Sequence, residues 1–296
     1  MKPFTYLAPI APFEYVVPGS VEEAVQALDS WGNRAKLIAG GTDLTILLKD
    51  RVVKPEAVVD ISRLRNELAG ITLKDGKLMI GALTTFTELE KDSRVVRYAQ
   101  ALSEAASNVG TCQIRNLGTI AGNLANASPS ADSAPPLIAL SAQLSVRSRN
   151  GERKMAVEDI FTGVKTTVLS AADLITHIEI PVKEKMSNCW MSARKRNENA
   201  LSIASVAVAS EISEGKYGAS RISLGSAAPT PILAKRSSAK LSGSVVSSET
   251  IEAVALEAKE ECQPSKRALR AGVEYRRHLV YVLTKRAIQR LSNTVR

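Results

Sequence analysis

Lys36-Leu37-Ile38-Ala39-Gly40-Gly41-Thr42-Asp43-Leu44 is the stretch on which the reading of this 296-residue chain turns. A short apolar run stops at two consecutive glycines, and a polar pair able to cap a helix opens the next apolar segment. That order predicts strand, tight turn and then a helix through Leu48. Glycines at such a turn let a ligand approach the backbone with no side chain between, and amides at a helix start favour an anion such as a pyrophosphate. By itself the segment also reads as a plain turn with Thr42 or Asp43 as its cap.

Upstream, Ser20 with Glu23 opens a short helix over residues 21–28. Downstream, Val58-Val59-Asp60-Ile61 reads as the strand that starts a second region. Ile71-Thr72-Leu73 and Lys77-Leu78-Met79-Ile80 flank Asp75-Gly76 as a hairpin, and Thr85 with Glu88 forms a capping box. Residues 101–109 read as a helix closed by Gly110, and residues 116–136 as an irregular stretch rich in Gly, Asn, Ser and Pro. Strands are expected at residues 143–147 and 174–180, with a turn at Asn150-Gly151 between them. A third region carries apolar segments at residues 203–208 and 222–224. It ends in helices from about Thr250 and about Lys266, an α+β pattern.

Within the irregular stretch, Thr119-Ile120-Ala121-Gly122-Asn123 and the residues up to Asp132 offer amides, hydroxyls, one amide side chain and one carboxylate without aromatic crowding. Such density suits a polyhydroxylated nucleotide, although a polar surface loop has the same composition. A P-loop and a G-x-G-x-x-G fingerprint are both absent.

Composition excludes other classes. No apolar run nears the ~20 residues of a membrane helix, and the N-terminus lacks the order of a secretory signal; the expectation is a cytoplasmic protein. Cys112, Cys189 and Cys262 are scattered, and His177 and His278 are the only histidines. A disulfide framework, a metal site or a Ser-His-Asp triad in this chain is therefore not expected. The net charge of +9 resides at the C-terminus, where nine basic residues face Glu274 alone from Lys266 onward. The rest of the chain is close to neutral, and aromatics are only 4%, so nucleic acid is not the expected partner. In the last helix Val273, Val280, Leu283, Ala287 and Leu291 recur at helical spacing beneath a basic face that includes Arg270, Arg277 and Lys285. That face reads either as solvated or as a docking surface for an acidic partner.

Taken together, Ile38-Ala39-Gly40-Gly41-Thr42-Asp43-Leu44 and Gln113-Ile114-Arg115-Asn116-Leu117-Gly118-Thr119-Ile120-Ala121-Gly122-Asn123 resemble the FAD-binding subunits of molybdenum hydroxylases. The likeness extends to Ile80-Gly81-Ala82-Leu83-Thr84-Thr85-Phe86-Thr87, Ser130-Ala131-Asp132-Ser133-Ala134, Ala227-Ala228-Pro229-Thr230-Pro231-Ile232 and Glu274-Tyr275-Arg276-Arg277-His278-Leu279. It covers nearly the whole chain in order, and within the family it is nearest to the xanthine dehydrogenase type.

The resemblance implies an α+β fold: two α/β FAD-binding subdomains of the vanillyl-alcohol-oxidase type (residues 1–53 and 54–181), then an α+β C-terminal domain (182–296). It places FAD on residues 36–43 and 119–123, with Asp132 near the sugar or ribityl hydroxyls. Val109 and Gly110 fall at the flavin, Ile175 is a main-chain contact and Arg194 a basic contact. Molybdopterin and iron–sulfur clusters would sit on partner subunits, and electrons would pass from those clusters through FAD to NAD+ or another acceptor. No general acid or base is implied. The alternative is a stand-alone FAD-dependent oxidoreductase, which should bring a pocket base. Two departures stand out. Ala121 replaces the first glycine of the family's G-G-N, a strain only if that position needs positive φ. In addition, the scattered cysteines cannot supply the iron–sulfur insertion of the 4-hydroxybenzoyl-CoA reductase subtype.

Overall fold

The computed structural model describes residues 10–265 and 270–294. The segment around Gly40-Gly41 folds as the sequence indicates. Strand β1 (Glu14–Val16) leads to helix α1 (Val21–Trp31), capped by Ser20 accepting from the Glu23 amide, then β2 (Ala35–Ile38), α2 (Leu44–Lys49) and β3 (Ala57–Asp60). These strands form a parallel sheet in the order β1-β3-β2. The strand expected to open the second region is thus the centre of the first sheet. Val58 and Val59 are fully buried there, as a central parallel strand requires, so the first layer runs past residue 53.

After α3 (Arg65–Leu68) comes the hairpin of β4 (Ile71–Lys74) and β5 (Lys77–Gly81). Asp75 and Gly76 turn it at φ 50° and 70°, the left-handed pair of a type I′ turn. Helices α4 (Phe86–Lys91), α5 (Ser93–Tyr98), α6 (Gln100–Ala106), α7 (Cys112–Leu117), α8 (Ile120–Ala125) and α9 (Ala134–Ala139) follow. The Thr85–Glu88 capping box at α4 is complete. The stretch expected to be irregular is therefore helical over residues 116–117, 120–125 and 134–136, with irregular backbone between. Thr119 caps α8, and Pro135 and Pro136 occupy the first turn of α9, where a missing N–H costs nothing.

Strands β6 (Gln143–Ser148) and β7 (Gly151–Ala156), the small pair β8 (Phe161–Gly163) and β9 (Thr166–Thr167), and β10 (Leu174–Pro181) complete this region. The five-stranded sheet has the order β4-β5-β10-β6-β7, and the largest apolar core lies between it and helices α4 to α9.

The remaining sheet is antiparallel: β11 (Met186–Ala193), β12 (Ala204–Ser213), β13 (Lys216–Gly225) and β14 (Ile232–Leu233). Helices α10 (Lys235–Leu241), α11 (Ser248–Glu261) and α12 (Val273–Thr294) cover one face of it. The expected start of the last helix at Lys266 lies outside the described residues. On α12, Val280, Leu283, Ala287 and Leu291 are buried, whereas Val273 is not. The basic face is not left unpaired: Arg277 meets Glu260 at 2.8 Å and Lys285 meets Glu252 at 2.7 Å, both acids on α11. Arg277 and Lys285 are thus answered by carboxylates within the chain. No described helix is long and apolar enough to cross a membrane.

Candidate functional site

β2 is an outer strand of the first sheet, with Lys36, Leu37 and Ile38 paired to Val58, Val59 and Asp60. Past Ile38 the chain leaves the ladder, and Gly41 takes φ +69°. That left-handed turn brings the chain into α2, where Thr45 donates to the Gly41 carbonyl at 3.0 Å. Among the described residues, the amides of Ala39, Gly40, Gly41, Thr42 and Asp43 donate to no protein oxygen. Five successive donors with no partner among the described residues are unusual, because backbone N–H groups are otherwise nearly always paired.

Gly40 does something the sequence reading did not assign to it. A Cβ there would lie 1.8 Å from the Leu117 carbonyl oxygen and 3.2 Å from the Gly118 nitrogen. The missing side chain makes room for the second stretch, not directly for a ligand. The two sequence segments are joined backbone to backbone.

The second stretch is held from behind by residues 82–86. Phe86 donates to the Gly118 carbonyl at 3.1 Å, Ile120 to the Thr84 carbonyl at 3.0 Å and Ala121 to the Ala82 carbonyl at 3.3 Å. Ala121 lies inside α8 without positive φ, so alanine in place of glycine is unstrained. Thr119 Oγ1 accepts from Gly122, and Asn123 Oδ1 accepts from Ser133 at 2.7 Å. Ile175 is buried on β10 at a shift in its register with β6. The next carbonyl, of Thr176, accepts from Ala82 at 2.9 Å, so Ala82 ties β10 to α8. Val109 packs against the main core, and Gly110 follows at φ +52°.

Asp132 and Arg194, both expected beside the cofactor, meet each other: Asp132 accepts from Arg194 at 2.8 Å and from Ser202 at 2.7 Å. Both members of the ion pair are more than nine-tenths buried. Burial pushes the Asp132 carboxyl up to about 6, against the opposing pull of Arg194 and Ser202. Arg194 also donates to the Asn108 carbonyl and to Ser192, and its guanidinium lies 5.4 Å from the centre of the Trp190 ring. Asn108, Ser202 and Trp190 are members of the site that the sequence did not reveal.

The structure therefore gathers the two glycine-containing stretches, the 109–110 turn, Asp132 and Arg194 into one connected region, with Ile175 attached through Ala82. Lys36 and Leu37 sit further back on the sheet edge. Free amides beside small residues fit the diphosphate of a dinucleotide, which needs donors and close backbone approach.

Fold and site together define a flavin-binding subunit of the molybdenum hydroxylase type. The model for the FAD-binding domain in molybdopterin dehydrogenase matches residues 11–183, and that for the CO dehydrogenase flavoprotein C-terminal domain matches residues 190–291. The chain belongs to this family of FAD-binding oxidoreductase subunits. It is similar to the xanthine dehydrogenase FAD-binding subunit of Escherichia coli O157:H7, 34% identical over 258 residues, 86% of this chain and 88% of the relative. It is also similar to the carbon monoxide dehydrogenase medium chain of Hydrogenophaga pseudoflava, at 32% over 93% of this chain and 96% of that one. A solved structure of carbon monoxide dehydrogenase from that organism, lacking the Mo-pyranopterin moiety, superposes with a TM-score of 0.92 at 31% identity, covering 96% of this chain and 99% of the other.

Proposed function

We propose that this chain is the electron-transferring flavin subunit of a xanthine dehydrogenase-like complex in the cytoplasm, assembled with an iron–sulfur subunit and a molybdenum subunit. Bound FAD would supply two-electron redox chemistry between the iron–sulfur clusters and NAD+ or another acceptor. The residues of this chain bind and orient. Ala39, Gly40, Gly41, Thr42 and Asp43 turn their amides to the diphosphate, extending from the Lys36, Leu37 and Ile38 strand. Thr119, Ile120, Ala121, Gly122 and Asn123 form the second wall, the Val109–Gly110 turn and Ile175 border the ring, and Asp132 and Arg194 support the wall. In this reading residues 1–181 hold the cofactor and residues 182–296 cover it.

The observation that carries the proposal is the run of five amides, unpaired among the described residues, seated by Gly40 against the second stretch. Hydrogen exchange tests it directly. Adding FAD to the apoprotein is expected to slow exchange at residues 39–43 and 119–123. Bound flavin that leaves residues 39–43 exchanging as before would place the diphosphate elsewhere.

A further inference from the structure

Several polar ties join the C-terminal sheet and the residues flanking its strands to the flavin loops. Arg194, directly after β11, holds the Asn108 carbonyl with one nitrogen and Asp132 with another, 2.8 Å away. Its third nitrogen donates to Ser192 at 3.1 Å, on its own strand. Ser202, just ahead of β12, grips the other Asp132 oxygen, and Ser226 donates through its amide to the Pro129 carbonyl at 2.9 Å. In the loop after Arg194, Asn199 donates to the Gly110 carbonyl at 3.3 Å. Trp190 lies within cation–π distance of the guanidinium. Asn108 immediately precedes the Val109–Gly110 turn, and Asp132 ends the second stretch, so this one side chain joins that turn to the second stretch.

We propose that Arg194 is a positioning residue: planted in the C-terminal sheet, its guanidinium clasps the Asn108 carbonyl and the Asp132 carboxylate, so the docked sheet pre-forms the flavin loops before cofactor arrives. The proposal rests on the flavin-site reading above and deepens it. A rigid planar fork suits this role, because an ammonium is a point charge that cannot hold two fixed acceptors in the same geometry. Each of its three nitrogens donates to a protein atom and it is buried beside a carboxylate, which argues against a direct hold on the cofactor. Pre-formed loops also spare binding the cost of ordering them.

The test compares wild-type and Arg194→Lys full-length chains, first as apoprotein. Arg194→Lys is expected to speed amide exchange at residues 108–113 and 128–134 without any flavin present. It should also weaken FAD binding about tenfold, as expected from losing a charged hydrogen bond. A direct ligand would behave differently: apoprotein exchange unchanged and only affinity lost, which overturns the proposal. Should Arg194→Lys fail to fold, Arg194→Met with Asp132→Leu replaces the ion pair by apolar groups of similar reach while leaving the Asn108 carbonyl unheld. Exchange at residues 108–113 must still be faster in that double variant, and wild-type protection there refutes the clasp. Failure of the flavin-site reading looks different again: FAD would then protect neither loop in the wild type, whatever Arg194→Lys does to the apoprotein.

Discussion

Gly40, Gly41 and Asp132 each carry a constraint that a substitution can expose. Gly40→Ala drives a methyl to 1.8 Å from the Leu117 carbonyl oxygen, and backbone on both sides leaves little room to yield. The variant should lose FAD and melt at markedly lower temperature, because the two walls separate. At Gly41 the space is tighter than usual but not closed, with Thr45 Oγ1 at 3.1 Å and Ile38 Cδ1 at 3.2 Å. Gly41→Val adds left-handed strain of roughly 1–2 kcal/mol and should abolish flavin binding while leaving a folded protein, as judged by circular dichroism. Retained flavin in Gly41→Val would make the turn purely structural. Asp132 sets a pH dependence. The folded carboxyl titrates at about 6, against ~4 in an unfolded chain. Its ionisation therefore costs stability, a cost absent below about 4 and growing as pH rises through about 6. Asp132→Asn lacks that titration, so its melting temperature should vary less across this window than that of the wild type. Parallel curves would mean that Asp132 does not titrate there.

Elements whose signals are local were legible in the sequence. Ser20 and Thr85 cap helices through side-chain oxygens that accept from the amide three residues on, and Asp75-Gly76 can turn only one common way. Elements defined by tertiary context were not. β11 hides because Asn188, Cys189 and Trp190 are all buried in succession, without polar alternation. Asn188 is there to accept from Ala101 at 2.8 Å on α6, a partner no window of sequence contains. α8 and α9 were masked by glycine, asparagine and proline, which signal loops unless a cap such as Thr119 precedes them. Within the site, the glycine turns were readable from composition, whereas the Arg194–Asp132 pair joins residues 62 apart. α12 yields a prediction at this scale. Reversing Arg277 and Lys285 to Glu sets like charges against Glu260 and Glu252 of α11. The melting temperature should fall, and added salt should recover part of the loss, since these pairs are solvent-accessible. An unchanged melting temperature at low salt would show that the pairs contribute nothing to the helix packing.

For the molecule as a whole, the division of labour follows from what the chain can and cannot hold. Among the described residues no cluster of His, Cys, Asp or Glu could take a metal ion. Cys189 and Cys262 are buried, and burial raises their thiols to about 12 and about 11, far from the thiolate form that ligates metal. Cys112 is exposed at the start of α7 and is the one thiol near the flavin loops. His177 instead pairs with Glu179 on β10, and His278 is exposed on α12. No histidine is thus placed in the flavin stretches to form a covalent bond with the cofactor. The chain produced alone is therefore expected to carry FAD non-covalently, with neither iron nor molybdenum, and acid precipitation should release the intact dinucleotide. Flavin that stays with the acid pellet would contradict the non-covalent hold, and release of FMN would contradict the diphosphate site. From the native source, iron and molybdenum should appear only with additional chains, in proportion to them and not to this one. Iron that remains stoichiometric with this chain after every partner is stripped away would overturn the assignment of the clusters to another subunit.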